Sequence, residues 1–398
     1  MGSMISLSVG RINIDYGQNE NFQSHAHLFQ LGDHGLNEYC YVNADGTPHI
    51  EIRDALIRPL SNVLPRLEMQ GYTLSSCDTL LAKWIDNEDG DGPVASMGAF
   101  RHALRSIDWR GQNETHEYVD FSEVIREAYA KAPDITLHEG ESPSMMAWER
   151  WLDPYVVLRV LADMPEYADL LVCWNYADVK DGGYVDSINF NPSPPSATWL
   201  LVTEGTSDTF VLSQSLKITH PDIQDFFDFI DMVAGNPFPG VGNIVHFCRG
   251  LSRINYTGQM LVVLDNDAAG RAALADIQAL KMPSSFVATC LPDLEELRAI
   301  KTIGPSGTSI EDINFRASAI ECFLDFSGID KEPTVRWTSF MHKQSTYQGE
   351  LVNKDAYVAD FKTRFGKNGV DYDVSKLVKL WEHLITCCIA VSSCRLTR

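Results

Sequence analysis

Four acidic residues close two apolar runs. The stretch "TWLLVTEGTSD" ends its apolar run at Glu204 and places Asp208 four residues further on. The stretch "MLVVLDNDAAGRAAL" carries five apolar residues straight into Asp265 and Asp267. Two ionised carboxylates one residue apart repel, so without a cation one pKa must rise. A hard divalent ion such as Mg²⁺ removes that conflict, because it takes a few carboxylates together with water and phosphate oxygens. Glu204 would then serve as a further ligand or as a general acid/base. Asp208, one helical turn on, faces the same way. The plainer reading is a set of exposed turn aspartates and a helix N-cap. DxD alone is a weak signal, whereas strand-EG-x-x-D joined to a distant strand-DxDxxG is much more specific.

The elements that must position these residues are legible around them. "TWLLVTEG" and "QMLVVLD" read as buried strands, and "SDTFVLSQSL", "IVHFCRGLSRI" and "AAGRAALADIQAL" as helices. Apolar strands alternating with helices predict a parallel, Rossmann-like α/β sheet over residues 197–325. In such sheets ligands sit at the carboxyl ends of strands, where Glu204, Asp265 and Asp267 all fall. Gly270 lets the helix after the second motif begin close beneath it. Before this segment, residues 1–195 predict an α+β domain. It opens with the alternating "ISLSVGRINIDYG" and "YCYVNADGTPHIEI", joined to a turn at Ala44-Asp45-Gly46. Helical patterns follow in "ALIRPLSNVLPRLEMQGY", "SSCDTLLAKWI", "FSEVIREAYAKA" and "SMMAWERWLDPYVVLRVLADM". Residues 330–398 predict a small, basic, mostly helical region that ends in "VSKLVKLWEHLITCCIAV".

"VTEGTSD" and "VLDNDAAG" resemble the two signature motifs of the Toprim fold, shared by topoisomerases, bacterial primases and overcoming-lysogenization-defect nucleases. The stretches "MGSMISLSVGRINIDYG", "GVGNIVHF", "DNDAAG" and "EDINFRASAIECFLDF" resemble the bacterial HEPN/Toprim-associated proteins. In these an N-terminal module precedes a HEPN or a Toprim domain. The resemblance implies that Glu204 is the catalytic acid/base and that Asp265 and Asp267 bind Mg²⁺, with Mn²⁺ able to substitute. Asp208 matches a second-metal ligand of nuclease-type members, and the motif glycines Gly205 and Gly270 fall on the cofactor side. Those members carry a later acidic motif, for which Glu311, Asp312 and Glu321 are the candidates. The implied activity is phosphodiester hydrolysis in DNA or RNA, and the kinship points to defence against phage. The competing reading is a Toprim sensor that holds metal or nucleotide without turnover. Nucleotidyl transfer is weaker, because no zinc-binding module or polymerase partner domain is evident.

Charge narrows the partners. Of the net −22, residues 1–200 carry 13 Lys+Arg against 30 Asp+Glu, and residues 331–398 carry 11 against 7. So acidic a chain is no general nucleic-acid coat, since phosphate contacts depend on Lys and Arg. A nucleic-acid substrate would meet the basic final segment, where Lys343 and Lys354 could position phosphates. The acidic first part suits a protein partner or trigger, and a homo-oligomer is compatible with the sequence. Nine cysteines without a CxxC pair fit a reducing cytoplasm. No apolar run approaches the ~18 residues of a membrane span, and no secretory signal opens the chain.

Weaker signals are set aside. Met1-Gly2 fits a loose myristoylation pattern, but Ile5, Leu7 and Val9 alternate as a first strand. Arg110…His116 and Arg336…His342 match the Arg-x(4–6)-His of HEPN ribonucleases by spacing alone. "DNEDGDG" lacks the twelfth-position Glu of a calcium loop. His25, His27 and His34 read as a surface loop. His383, Cys387, Cys388 and Cys394 read as core packing in a helix rather than a zinc site.

Overall fold

The computed structural model describes residues 2–42, 47–86, 97–110, 119–130, 152–186, 190–192, 198–230, 240–254, 256–342, 344–365 and 372–398. The chain divides into two compact units, Met1–Pro195 with Ser392–Arg398, and Ser196–Val391. The turn at 44–46, the loop 87–92 and His116 lie outside the described residues.

The first unit is built on strands β1 (Met4–Val9), β2 (Ile12–Gln18), β3 (His34–Val42), β4 (Pro48–Pro59), β5 (Val119–Asp120) and β6 (Leu171–Asn175). Their order is β3-β4-β6-β1-β2-β5. Neighbours pair antiparallel except for the parallel β2–β5 contact. The alternation seen in "ISLSV" buries Ile5, Leu7 and Val9. Gly10 turns the chain between β1 and β2 at φ 56°, and a Cβ there would stand 2.0 Å from the Trp109 carbonyl oxygen. Only glycine meets both conditions.

Helices α1 (Leu60–Met69), α2 (Leu74–Asp86), α3 (Met97–Ser106), α4 (Phe121–Ala130), α5 (Pro154–Ala162) and α6 (Ala177–Asp181) complete this unit. Leu60, Val63, Leu67, Phe100, Val157, Leu161 and Trp174 join its core. The expected helix over "ALIRPLSNV" needs correction, because Leu56–Pro59 extend β4 and pair with Leu171–Trp174. Pro59 then stands as the N-cap of α1 at φ −59°, a position where its missing N–H costs nothing. The surface reading holds for His34, which is exposed, but is corrected for His25. His25 is 2 % exposed, with Nε2 2.8 Å from Asp15 Oδ2 and Nδ1 2.8 Å from the Tyr155 hydroxyl.

The second unit holds a parallel sheet of β7 (Trp199–Val202), β8 (Phe227–Phe229), β9 (Gln259–Leu264) and β11 (Phe286–Cys290), in the order β11-β9-β7-β8. Helices α7 (Thr206–Thr219), α8 (Val241–Leu251) and α9 (Ala268–Gln278) connect them. The chain steps outward from β7 to β8, returns past β7 to β9, and continues to β11. Right-handed crossovers therefore send α7 to one face and α8 and α9 to the other. Val202, Ile244, Cys248, Met260, Val262, Leu264 and Ile277 form the core beneath the latter pair. The opposite face receives α11 (Ser375–Leu396), whose Trp381 Nε1 donates to Ser215 Oγ at 2.9 Å. Coverage on both faces explains why β9 is apolar without alternation.

The stretch expected to be mostly helical opens instead with an antiparallel hairpin, β15 (Thr334–Met341) and β16 (Thr346–Leu351), before α10 (Lys354–Phe365) and α11. β15 pairs in parallel with β12 (Ile300–Gly304), which itself pairs with β13 (Gly307–Glu311). β12, β13, β15 and β16 thus make a second, mixed sheet within the unit Ser196–Val391, so the segment after 330 is not a body of its own. Helix α11 is also long and apolar enough to cross a membrane by length and composition, although no unbroken apolar run within it approaches ~18 residues. Its Leu377, Leu380, Trp381, Leu384 and Cys388 are each 0 % exposed and recur at helical spacing, as a core stripe does.

Candidate active site

In the order β11-β9-β7-β8, the helices after β7 and β9 leave on opposite faces, which opens a crevice between the carboxyl ends of these two adjacent strands. The sequence places Glu204 at one of these ends and Asp265 at the other. The register pairs Val202 with Val262, so continuing both strands brings Glu204 level with the start of the DxD loop. The Asp265 backbone N–H points at Glu204 Oε1, 3.4 Å away. Thr203 supports the turn, with its hydroxyl 2.8 Å from that of Thr209.

Asp208 lies in the first turn of α7, where its Oδ2 accepts the Gly205 N–H at 2.9 Å. An acid there also offsets the positive end of the helix. Asp267 is the N-cap of α9, accepting the Gly270 N–H at 2.7 Å. Its other oxygen accepts from the side-chain amide of Gln348 on β16. Asn266 and Asp267 pair with Ser318 and Ala317 across a short ladder, β10 (Asn266–Asp267) and β14 (Ala317–Ser318). Asn266 is 1 % exposed and donates to Asp293 at 2.7 Å. At Gly270 a Cβ would stand 2.1 Å from the Asp265 carbonyl oxygen, so the helix can start this close only without a side chain.

The ladder with β14 delivers Glu321, which lies three residues past Ser318 in a buried 3₁₀ turn. Its charge acts on both Asp208 and Asp265. Glu311 stands apart. It accepts from Ser309 at 2.6 Å and Thr302 at 2.9 Å, and pairs with Arg316 at 2.9 Å. These bonds, led by Ser309, draw its carboxyl down to about 2. Asp312 caps its own loop through the Asn314 N–H and side-chain amide, both at 2.9 Å. Of the three later acids, Glu321 is the one that acts on the cluster.

Glu204, Asp208 and Asp265 therefore share one electrostatic environment. Burial raises Glu204 to about 7, against the pull of the Asp265 N–H and with a push from Asp267. Burial also raises Asp208 to about 7, with Glu321 and Glu204 adding to it and the Gly205 N–H and Lys354 opposing it. Asp265 is raised well above the usual carboxylate range by burial and then by Asp208, Glu204, Asp267 and Glu321. Like charges held in low dielectric produce this pattern, and a bound cation relieves it. The donor set thus has the chemistry for a hard divalent ion. Beside the DxD loop, the buried Ser318 hydroxyl also has no hydrogen-bond partner. Among the described residues, however, no three His, Cys, Asp or Glu side chains converge on one point as they are now turned.

The remaining candidates fall elsewhere. Lys354, exposed at the start of α10, is the cation whose charge reaches Asp208. Lys343 lies outside the described residues. Arg110 is bound to Asp169 at 2.7 and 3.1 Å on the edge of an open cleft in the first unit. His342 packs its ring on Phe340 with centroids 5.2 Å apart. His383 Nε2 lies 2.9 Å from the Thr289 hydroxyl, and Cys388 is fully buried. Sequence reasoning missed Gln348 and Ser318, because a glutamine inside a strand pattern and a lone serine carry no signal of where their strands will dock.

With this geometry in view, comparison with known proteins finds one family match, in the first part of the chain. Residues 1–198 match the family described as HEPN/Toprim N-terminal domain 1. That match supports a HEPN/Toprim-associated family for the protein. No curated protein and no solved structure matches it.

Proposed function

We propose that the second unit is a Toprim nuclease that uses Mg²⁺, or Mn²⁺ in its place, to hydrolyse phosphodiester bonds in DNA or RNA. The observation that carries the reading is the meeting of Glu204 and Asp265 at adjacent parallel strand ends, at the point where the sheet reverses its order. Asp208, Asp265, Asp267 and Glu321 would hold the ion. Bound there, Mg²⁺ would neutralise phosphate charge and lower the pKa of water. Glu204, held near 7 by burial, can carry a proton or release one at neutral pH, as a general acid/base must. Lys354 adds positive charge on the Asp208 side for a phosphate. Resemblance to the HEPN/Toprim-associated proteins supports a role in bacterial defence against phage as part of this proposal.

The test is incubation of the purified protein with plasmid, single-stranded DNA and transfer RNA, with Mg²⁺ or Mn²⁺. Wild type should cleave at least one, while Glu204→Gln and Asp265→Asn should not. No cleavage under any of these conditions, or equal cleavage by the variants, would sink the proposal. The alternative reading is a metal- or nucleotide-binding sensor built on the same buried carboxylates. Tight Mn²⁺ binding without cleavage of any substrate would select it.

A further inference from the structure

Asp267 reaches its place through a residue that lies 81 positions away in sequence. Gln348 is half-buried on β16, the outer strand of the second sheet. Its Oε1 accepts the Ala269 backbone N–H at 3.1 Å, and its Nε2 donates to Asp267 Oδ2. The amide therefore bridges two parts of one helix start. Asp267 itself satisfies the N–H of Gly270, and Gln348 satisfies that of Ala269, two of the donors that every α-helix leaves unpaired at its first turn. The orientation of the amide is fixed by chemistry. Turning it over would set its NH₂ against an N–H and its carbonyl against a carboxylate, and both contacts repel.

We infer that Gln348 is a positioning residue: it clamps the Asp267 carboxylate against α9 and thereby sets how tightly the DxD loop takes a divalent cation. This role rests on the metal reading above. Thr338, exposed on the neighbouring strand, donates instead to the Gln348 backbone carbonyl at 3.1 Å. A free carboxylate rotates and must be ordered by the ion that binds it, whereas a clamped one is ordered beforehand. Partners of metal-binding carboxylates and histidines commonly govern affinity in this way.

The test is Mn²⁺ titration of the full chain, followed by electron paramagnetic resonance, with far-UV circular dichroism to check the fold. Gln348→Met keeps the length and removes both bonds, and it should weaken Mn²⁺ binding by about tenfold or more. Gln348→Asn keeps the amide but withdraws it by a methylene and should show the same loss, which covers the case that one variant misfolds. Thr338→Val should bind as wild type does. In an Asp267→Asn background, Gln348→Met should add no further loss, since a residue that acts through Asp267 has nothing left to position. Full additivity in that cycle, or wild-type affinity in both Gln348 variants, overturns the role alone. Wild-type protein that takes up no Mn²⁺ overturns the metal reading, and this role with it.

Discussion

At the scale of single residues, the two motif glycines part company. Gly270 is sterically compelled, because any Cβ would collide with the Asp265 carbonyl. Gly270→Ala should cost about 1–3 kcal/mol in a denaturant melt, as overpacking does, and displace Asp265. At Gly205 a Cβ would meet nothing closer than Asp208 Oδ2 at 3.4 Å, and the backbone is extended. Gly205→Ala should melt as wild type does. If substrate or ion approaches over that backbone, its cleavage rate should still fall. A rate equal to wild type would remove Gly205 from the site. The later acids separate in the same manner. Glu321→Gln should lower turnover by about 10²-fold or more if it serves the cluster. Glu311→Gln should leave turnover unchanged and cost at most about 1 kcal/mol, since its bond to Arg316 is partly solvated.

At the scale of elements, the strands and helices around the motifs were readable, because each carries its period or its unbroken apolar run within one short window. β9 and α9 are the clearest, a buried strand passing directly into a capped helix. The hairpin β15–β16 was not readable. "RWTSFMHKQSTYQGEL" mixes polar and aromatic residues without clean alternation, and a register irregularity between Trp337 and Ser339 breaks the period that would have marked it. What makes it a sheet is pairing with β12, a contact no local window contains. Helix α11 was readable as a helix, but its apolar content suits a membrane span and a core helix equally. Trp381 decides how it is used here, buried against Phe227 with ring centroids 5.2 Å apart. Trp381→Ala should destabilise the protein by about 3–5 kcal/mol in chemical denaturation. Ser215→Ala, which removes the acceptor of its indole N–H, should cost roughly 1–3 kcal/mol.

At the scale of the molecule, two sets of groups give pH dependences of opposite sign. Glu204 and Asp208 keep protons in the folded state up to about 7, well above their unfolded values. The native state then binds more protons than the unfolded one between about pH 4 and 7, so this contribution to stability falls as pH rises. His27 in the first unit runs the other way. Burial, then His25 and Arg66, lower it from 6.5 to about 4. The unfolded chain takes up that proton first, so this contribution is lost as pH falls from about 6.5 to 4. The two windows overlap, and the wild-type curve should be flatter than either alone. Calorimetry from pH 4 to 8 should show His27→Phe relieving the acid-side loss and Glu204→Gln relieving the loss toward neutrality. Mg²⁺ should raise the melting temperature more at pH 7.5 than at pH 5, since at pH 5 protons already quench the repulsion. An equal Mg²⁺ effect at both pH values would contradict the assignment of these carboxylates to a cation site.

The sequence by itself determined the two strand-end motifs, the helices that follow them and the acidic balance of the chain, because each is written in adjacent residues and local spacing. The tertiary structure decided what distance along the chain conceals. It set Glu204 beside Asp265 by placing β7 next to β9, and by pairing β14 with the DxD loop it put Glu321 where its charge reaches Asp208 and Asp265. It also brought Gln348 from a hairpin without a local signature to clamp Asp267. The physical reason is that a carboxylate's role depends on which charges and donors surround it in space. Those neighbours are fixed by strand order and register, which emerge only when the sheets assemble.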